Sequence, residues 1–269
     1  MAIFEIIKAF ILGIVQGITE WLPISSTGHL IIIEDLFKFN FSEAFINTFF
    51  VVIQLGSIIA VLVLFFNRLN PFKSKEEECQ KTIKLWFKIA VASIPVGIIG
   101  FLFEDQIDAL LYNPITVAIT LIFYGIVFIA LERKNHKIKT NDLSEISYKL
   151  AFEIGFFQML SLIPGTSRSG ATIIGAVFLG TSRYVASEFS FLLAIPAMLG
   201  ASAYKLLKVG YTFSGLEIIV LLVGSITAFI VSIVVIRFLL DYIKKHDFKV
   251  FGYYRIILGL IVLLFYLFI

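Results

Sequence analysis

The sequence predicts an all-α polytopic membrane protein with an inverted-topology repeat, each half a re-entrant helical hairpin plus three transmembrane helices. Three observations carry this. First, 59% of the 269 residues are hydrophobic and only 15% are charged. A water-soluble chain of this length could not hide that much apolar surface, so the bilayer must be its solvent. Second, apolar segments close to the ~20 residues a spanning helix needs recur at 45–66, 85–103, 114–131, 186–205, 215–236 and 251–269. Third, two further apolar stretches, 3–37 and 150–183, are each interrupted by a Pro-, Gly- and Ser-containing turn.

The interruptions are Trp21-Leu22-Pro23-Ile24-Ser25-Ser26-Thr27-Gly28-His29 and Pro164-Gly165-Thr166-Ser167-Arg168-Ser169-Gly170. Pro and Gly stop a helix, and a following Ser or Thr can cap the next one. Helix, polar turn and short helix make a re-entrant hairpin, whose irregular backbone is tolerated at membrane depth only when buried in protein or lining a cavity. The second arms are expected at about 27–37 and 168–179.

Loop charge sets the expected orientation. Loops 67–84, 132–149 and 237–250 are rich in Lys and Arg, whereas 104–113 carries Glu104, Asp105 and Asp108 and no base. The basic loops go to the cytoplasm, so the two hairpins enter from opposite faces. Gly13-x-x-Gln16 with Pro23-x-x-Ser26 is echoed by Gly155-x-x-Gln158 with Pro164-x-x-Ser167, and Ser42-Glu43 by Ser187-Glu188, at offsets of 142, 141 and 145. The chain is read as one membrane domain: repeat 1 at about 1–131, a cytoplasmic linker at 132–149, and repeat 2 at about 150–269. Such folds place their site near the midplane, at broken helices.

The net charge of +3, spread over short loops, argues against nucleic acid as a partner. Cys79 is the single cysteine, which excludes an intrachain disulfide. The first apolar run contains Glu5 and Lys8 and lacks a basic start, so it is read as part of the mature fold and not as a signal peptide.

Ionisable groups within apolar segments cost at least ~2.5–3.5 kcal/mol each, so each needs a reason. Glu20 and His29 flank the first turn and Arg168 sits in the second. Each has a bland explanation: interfacial placement for Glu20, a satisfied structural histidine for His29, snorkelling for Arg168, and capping for Ser25 or Ser169. Their concentration at the two breaks favours one site containing Glu20, Ser25, Ser26, Thr27, His29, Ser167, Arg168, Ser169 and Thr172. Two helix N-termini and a forked cation suit a phosphate. Gly28, Gly165 and Gly170 allow close backbone approach. Ser26 and His29, at i and i+3, share one helix face, and Ser25 could substitute for Ser26. His29 is the expected base for a hydroxyl nucleophile, with Glu20 orienting it or holding a divalent cation. Glu188 is read as a helix-start acid.

The segments Gln16 to His29 and Pro164 to Thr172 resemble the two signature motifs of the undecaprenyl-diphosphate phosphatases, the bacitracin-resistance proteins. Ser182 to Phe191 and Val52 to Ser57 resemble further family segments, and the similarity covers essentially the whole chain. The resemblance implies a multi-pass protein of the bacterial plasma membrane that hydrolyses undecaprenyl diphosphate to undecaprenyl phosphate, recycling the carrier lipid for cell-wall synthesis and conferring bacitracin resistance. It implies a divalent cation, magnesium or calcium, with Glu20 as its ligand, and a site open to the outer face. Glu20, Ser26, His29 and Arg168 become the catalytic residues, and Ser25, Thr27, Gly165, Ser167, Ser169, Thr172 and Gln16 the substrate-facing ones. Many members carry Glu where this chain has Gln16; an amide cannot ionise and is a weaker cation ligand. Expected partners are the lipid, the bilayer and, as a homodimer, a second copy of the chain. Three other functions compete. A prenyl-phosphate flippase would need the anion site but no Ser-His pair. An intramembrane serine protease would not need Arg168. The unrelated lipid phosphatases use a Pro-Ser-Gly-His motif that is absent.

Overall fold

A computed structural model describes residues 2–36, 39–134, 137–208 and 213–268. Residue 37 of the second helical arm expected at 27–37, and residue 269 of the last expected span, lie outside the described residues. Those described are built on helices: α1 (Ala2–Thr19), α2 (Ser26–Leu36), α3 (Glu43–Leu64), α4 (Phe66–Leu69), α5 (Glu76–Leu111), α6 (Pro114–Arg133), α7 (Tyr148–Met159), α8 (Arg168–Phe178), α9 (Arg183–Lys208), α10 (Gly215–Tyr242) and α11 (Lys249–Phe268).

The starts follow from local chemistry. Ser42, Asn113 and Ser147 each accept from a first-turn N–H of α3, α6 and α7, at 3.2, 2.9 and 3.0 Å. Pro114 fills the first position of α6, where its missing N–H costs nothing. Ser214 and Glu217 cap α10 reciprocally.

Among the described residues, six helices are long and apolar enough to cross a membrane: α1, α3, α5, α6, α10 and α11. Five coincide with expected spans. The expected span at 186–205 falls in α9, a single helix of 26 residues, several of whose side chains lie outside the described residues. The first arm, α1, is instead long enough by itself. Helix α5 also overruns both loops that were expected to bound it, running unbroken for 36 residues with Pro95 inside. Charge marks a segment as wet but does not stop a helix: Glu76, Glu77 and Glu78 favour its first turn through the helix dipole.

Glycine sets the closest helix crossings. A Cβ on Gly125 would lie 2.7 Å from the Gly252 carbonyl, where α6 meets α11. A Cβ on Gly13 would lie 2.6 Å from the Gly224 carbonyl, where α1 meets α10. Gly155 of α7 faces the Ala92 carbonyl of α5 in the same manner. Small residues at such contacts let backbones approach and dispersion build up, which is how helices associate in lipid. Gly155→Val is expected to destabilise by about 1–3 kcal/mol through overpacking. Gly97→Val, with nothing within 4 Å of the new Cβ, should leave the thermal midpoint in detergent near wild type by comparison.

Candidate active site

The two interruptions sit where expected, between α1 and α2 and between α7 and α8. Each ends in a serine with a left-handed backbone: Ser25 at φ 73° and Ser167 at φ 70° are the only non-glycine positive-φ residues among those described. Ser25 Oγ accepts from Gly28 N at 3.3 Å, and Ser167 Oγ from Gly170 N at 3.1 Å. Each serine thus caps the short helix that follows it. A strained non-glycine backbone persists only where its surroundings over-determine it. The cap geometry matches Ser167 to Ser25, one residue before the Ser26 suggested by the sequence echo.

The turns meet. Arg168 Nη2 donates to Glu20 Oε1 at 3.0 Å, and Arg168 Nη1 to the Ser190 carbonyl at 2.8 Å. Glu20 Oε2 accepts from Gln16 Nε2 at 3.1 Å and from Ser26 Oγ at 3.2 Å. The Arg168 guanidinium lies 5.5 Å from the centroid of the buried Trp21 ring. Ser169 Oγ is 3.2 Å from both the Glu20 carbonyl and Ser167 Oγ. Ser169 therefore stitches one turn to the other, and the capping role considered for it belongs to Ser167.

His29 stands differently from expectation. Its Nδ1 is 2.8 Å from the Ser25 carbonyl, an acceptor, which assigns the proton to Nδ1. Nε2 is then free to accept from the Tyr254 hydroxyl at 2.7 Å, with the two rings stacked. His29 thus bonds neither Glu20 nor Ser26; the group within reach of the Ser26 hydroxyl is the Glu20 carboxylate. Thr27 is half-buried and its hydroxyl has no protein partner among the described residues. Thr172 belongs behind the site, its hydroxyl bonded to the Arg168 carbonyl at 2.9 Å and to Ser190 Oγ at 2.6 Å. Gly165 serves packing: at φ +86° a Cβ would meet the Val117 carbonyl at 2.8 Å, so the close approach is to α6.

Sequence reasoning missed Arg255. This fully buried side chain of α11 donates from Nη1 to the Pro23 carbonyl at 3.2 Å and from Nη2 to the Gly165 carbonyl at 2.9 Å. It clamps the two prolyl turns from one side and lies over the Tyr124 ring. The signal was available, a charge inside the span expected at 251–269, but its nearness to the segment's start disguised it as a flanking base. Tyr254 and Ser190 were also missed. Nothing separates such a tyrosine from an interfacial aromatic, or such a serine from a helix-packing one.

Several buried polar atoms here have no protein partner: Gln16 Oε1, Trp21 Nε1, Arg168 Nε and Arg255 Nε. Buried polar groups are normally satisfied, so a cluster of exceptions marks a place for a polar ligand or water. No group of three or more His, Cys, Asp or Glu side chains forms a cation cage among the described residues. The unpaired Gln16 Oε1 and the Glu20 carboxylate, whose oxygens already accept from Arg168, Ser26 and Gln16 Nε2, are the oxygens these two residues offer a cation. That set fits a cation of the kind held by one carboxylate and by the oxygens of a bound phosphate.

Residues 9–261 match the family model described as bacitracin resistance protein BacA. The chain belongs to this family. It is 64% identical over 267 residues to undecaprenyl-diphosphatase 1 of Clostridioides difficile (strain 630), covering 98% of this chain and 97% of the relative. Undecaprenyl-diphosphatases of Enterococcus faecalis and Desulfitobacterium hafniense (strain DSM 10664 / DCB-2) are 58% and 57% identical, over 97% and 99% of this chain and 96% and 98% of their own. In this BacA-family chain the paired motifs fall at the two capped turns, so what the family model matches by sequence is also what the fold brings together.

Proposed function

We propose that this chain is an undecaprenyl-diphosphate phosphatase of the bacterial membrane, releasing phosphate and regenerating undecaprenyl phosphate for cell-wall synthesis, with bacitracin resistance as a consequence. The observation that carries the reading is the Glu20–Arg168 pair joining two capped turns, with Ser26 on the second carboxylate oxygen. Two guanidinium groups against one carboxylate leave net positive charge where two helix N-termini converge, which suits a diphosphate.

The diphosphate lies at the starts of α2 and α8, with its prenyl chain in lipid. Arg168 and the free N–H groups hold the terminal phosphoryl oxygens and stabilise the charge that spreads over them during transfer. In the serine route Ser26 Oγ bonds to the terminal phosphorus, the bridging P–O bond breaks, and undecaprenyl phosphate leaves. The hydroxyl proton passes to Glu20, and water then hydrolyses the phosphoserine. In the histidine route Nε2 leaves Tyr254 and either bonds the terminal phosphorus as the bridging P–O bond breaks, water then hydrolysing the phosphohistidine, or takes the proton of a water that attacks the phosphorus and expels undecaprenyl phosphate. Glu20 and Gln16 Oε1 would be the residues to hold a divalent cation, which would supply charge neutralisation at the diphosphate. Substrate-facing roles go to Thr27, Ser167 and the cap of Ser25.

Purified protein in detergent should release phosphate from undecaprenyl diphosphate, with a loss of at least about 100-fold for Ser26→Ala. Phosphate release by Ser26→Ala at the wild-type rate excludes the serine route. Phosphohistidine trapped at position 29 selects the other. Lipid movement by the wild type without any phosphate release would make the chain a flippase.

The inverted repeat and re-entrant hairpins form part of the proposal, with repeat 1 at about 1–131, the linker at 132–149 and repeat 2 at about 150–269. Matched packing supports it: α1 packs on α10 of the second half, and α7 on α5 of the first, each through the glycine of its motif, Gly13 or Gly155. The basic loops face the cytoplasm and the site opens outward. With Cys79 replaced, a cysteine introduced at Ile107 should react with an impermeant thiol reagent added to intact cells; labelling only after permeabilisation would reverse the orientation.

A further inference from the structure

A second cluster of arginine side chains lies away from the paired turns. A cavity of about 320 Å³ opens between the end of α3 with α4, the start of α9 and the end of α10. Leu64, Phe65 and Ile236 give it apolar walls, and Arg68 and Arg237 bring two guanidinium groups to it.

Glu188 explains how one of these groups is held. It lies more than a turn inside α9, is only 2% exposed, and pairs with the Arg68 guanidinium, Nε to Oε1 at 3.1 Å. It is therefore a buried anchor rather than the helix-start acid expected from the sequence. The contact uses the side nitrogen of Arg68. The Arg237 guanidinium has no protein partner among the described residues. Glu188, with Asp142 close enough to act on it and on Arg68, balances Arg68, so Arg237 is the guanidinium left without a carboxylate, in a pocket whose remaining walls are largely apolar. Arg68 lies in α4 and Arg237 in the last turns of α10, beside the basic stretches 67–84 and 237–250 that the membrane reading puts at the level of lipid headgroups. Phe66 and Phe238, next in sequence to the cavity-lining residues, are 59% and 55% exposed and offer acyl chains a surface.

We propose that this cavity binds the phosphate headgroup of an anionic phospholipid. Forked donors match phosphate oxygens, and basic pockets between membrane helices are suited to acidic headgroups. The site rests on the membrane reading of the fold and is independent of the hydrolytic chemistry at Glu20 and Arg168.

The test is native mass spectrometry of the full chain in neutral detergent with equal phosphatidylglycerol and phosphatidylcholine. Wild type should retain phosphatidylglycerol preferentially. Arg237→Gln, which breaks no protein contact, should weaken that retention about fivefold, the share of one basic residue near a headgroup. Arg237→Glu should abolish the preference. Lys149→Gln, a neutralisation elsewhere among the basic loops, should retain phosphatidylglycerol as wild type does, and millimolar inorganic phosphate should not displace the lipid. Full retention by both Arg237 variants overturns the proposal. Equal loss in Lys149→Gln would reduce it to diffuse surface charge, and displacement by inorganic phosphate would make the cavity a site for free phosphate instead of lipid.

Discussion

Arg168→Ala is expected to lower phosphate release by about a thousandfold or more, the scale of a transition-state arginine in phosphoryl transfer. Two effects add. The terminal phosphoryl group loses its forked cation, and Glu20 is left as a nearly buried carboxylate without its ion partner. Breaking one side of such a pair costs about 3–5 kcal/mol, so the thermal midpoint should fall as well. Arg168→Lys separates the terms. It keeps the charge, but one nitrogen cannot serve Glu20 Oε1 and the Ser190 carbonyl together. The lysine variant should recover much of the stability while remaining at least about 100-fold slow, the cost of misplacing a reacting group. Steady-state kinetics beside thermal melts of both variants checks this; full activity of Arg168→Lys would show that only charge matters.

Arg255→Met is the second large effect, and stability and activity should part company. Burying a guanidinium with no carboxylate partner is costly, and an apolar replacement of similar volume relieves that cost. Against this stand the Pro23 and Gly165 carbonyls, each left unsatisfied at about 1–3 kcal/mol. The opposing terms are similar in size, so the thermal midpoint should move little. The turns, however, lose the clamp that sets their spacing, and a shift of order 1 Å there costs about 100-fold in turnover. Arg255→Lys should not restore turnover, because one ammonium cannot reach two carbonyls on different turns. A KM near wild type with a collapsed kcat marks positioning; a collapsed midpoint with normal kcat in the surviving enzyme would make Arg255 a structural residue alone.

The broken helices were legible because Pro, Gly and Ser break an apolar run in a way that composition alone reveals. That Glu20 and Arg168 share one site was legible for a related reason, since charges are too costly in a bilayer to stand without a purpose, whereas their direct pairing was not. What escaped was direction. Ser25 and Ser26 are adjacent and identical, and only the positive φ of Ser25 makes it the cap and leaves Ser26 facing Glu20. The i, i+3 spacing of Ser26 and His29 suggested a dyad. Yet His29 is held by its own turn's carbonyl and by Tyr254, a residue 225 positions away that no local pattern connects to it. Helix ends were misjudged where charge was taken for a boundary, as at both ends of α5.

The central claim is that residues from both interruptions act as one catalytic unit. A double-mutant cycle on phosphate release, with Glu20→Gln, Arg168→Gln and the two combined, tests it across the 3.0 Å contact that joins them. One shared site predicts strong non-additivity, with the double variant no slower than the worse single one. Losses that multiply, each substitution acting as if the other residue were intact, would contradict the account.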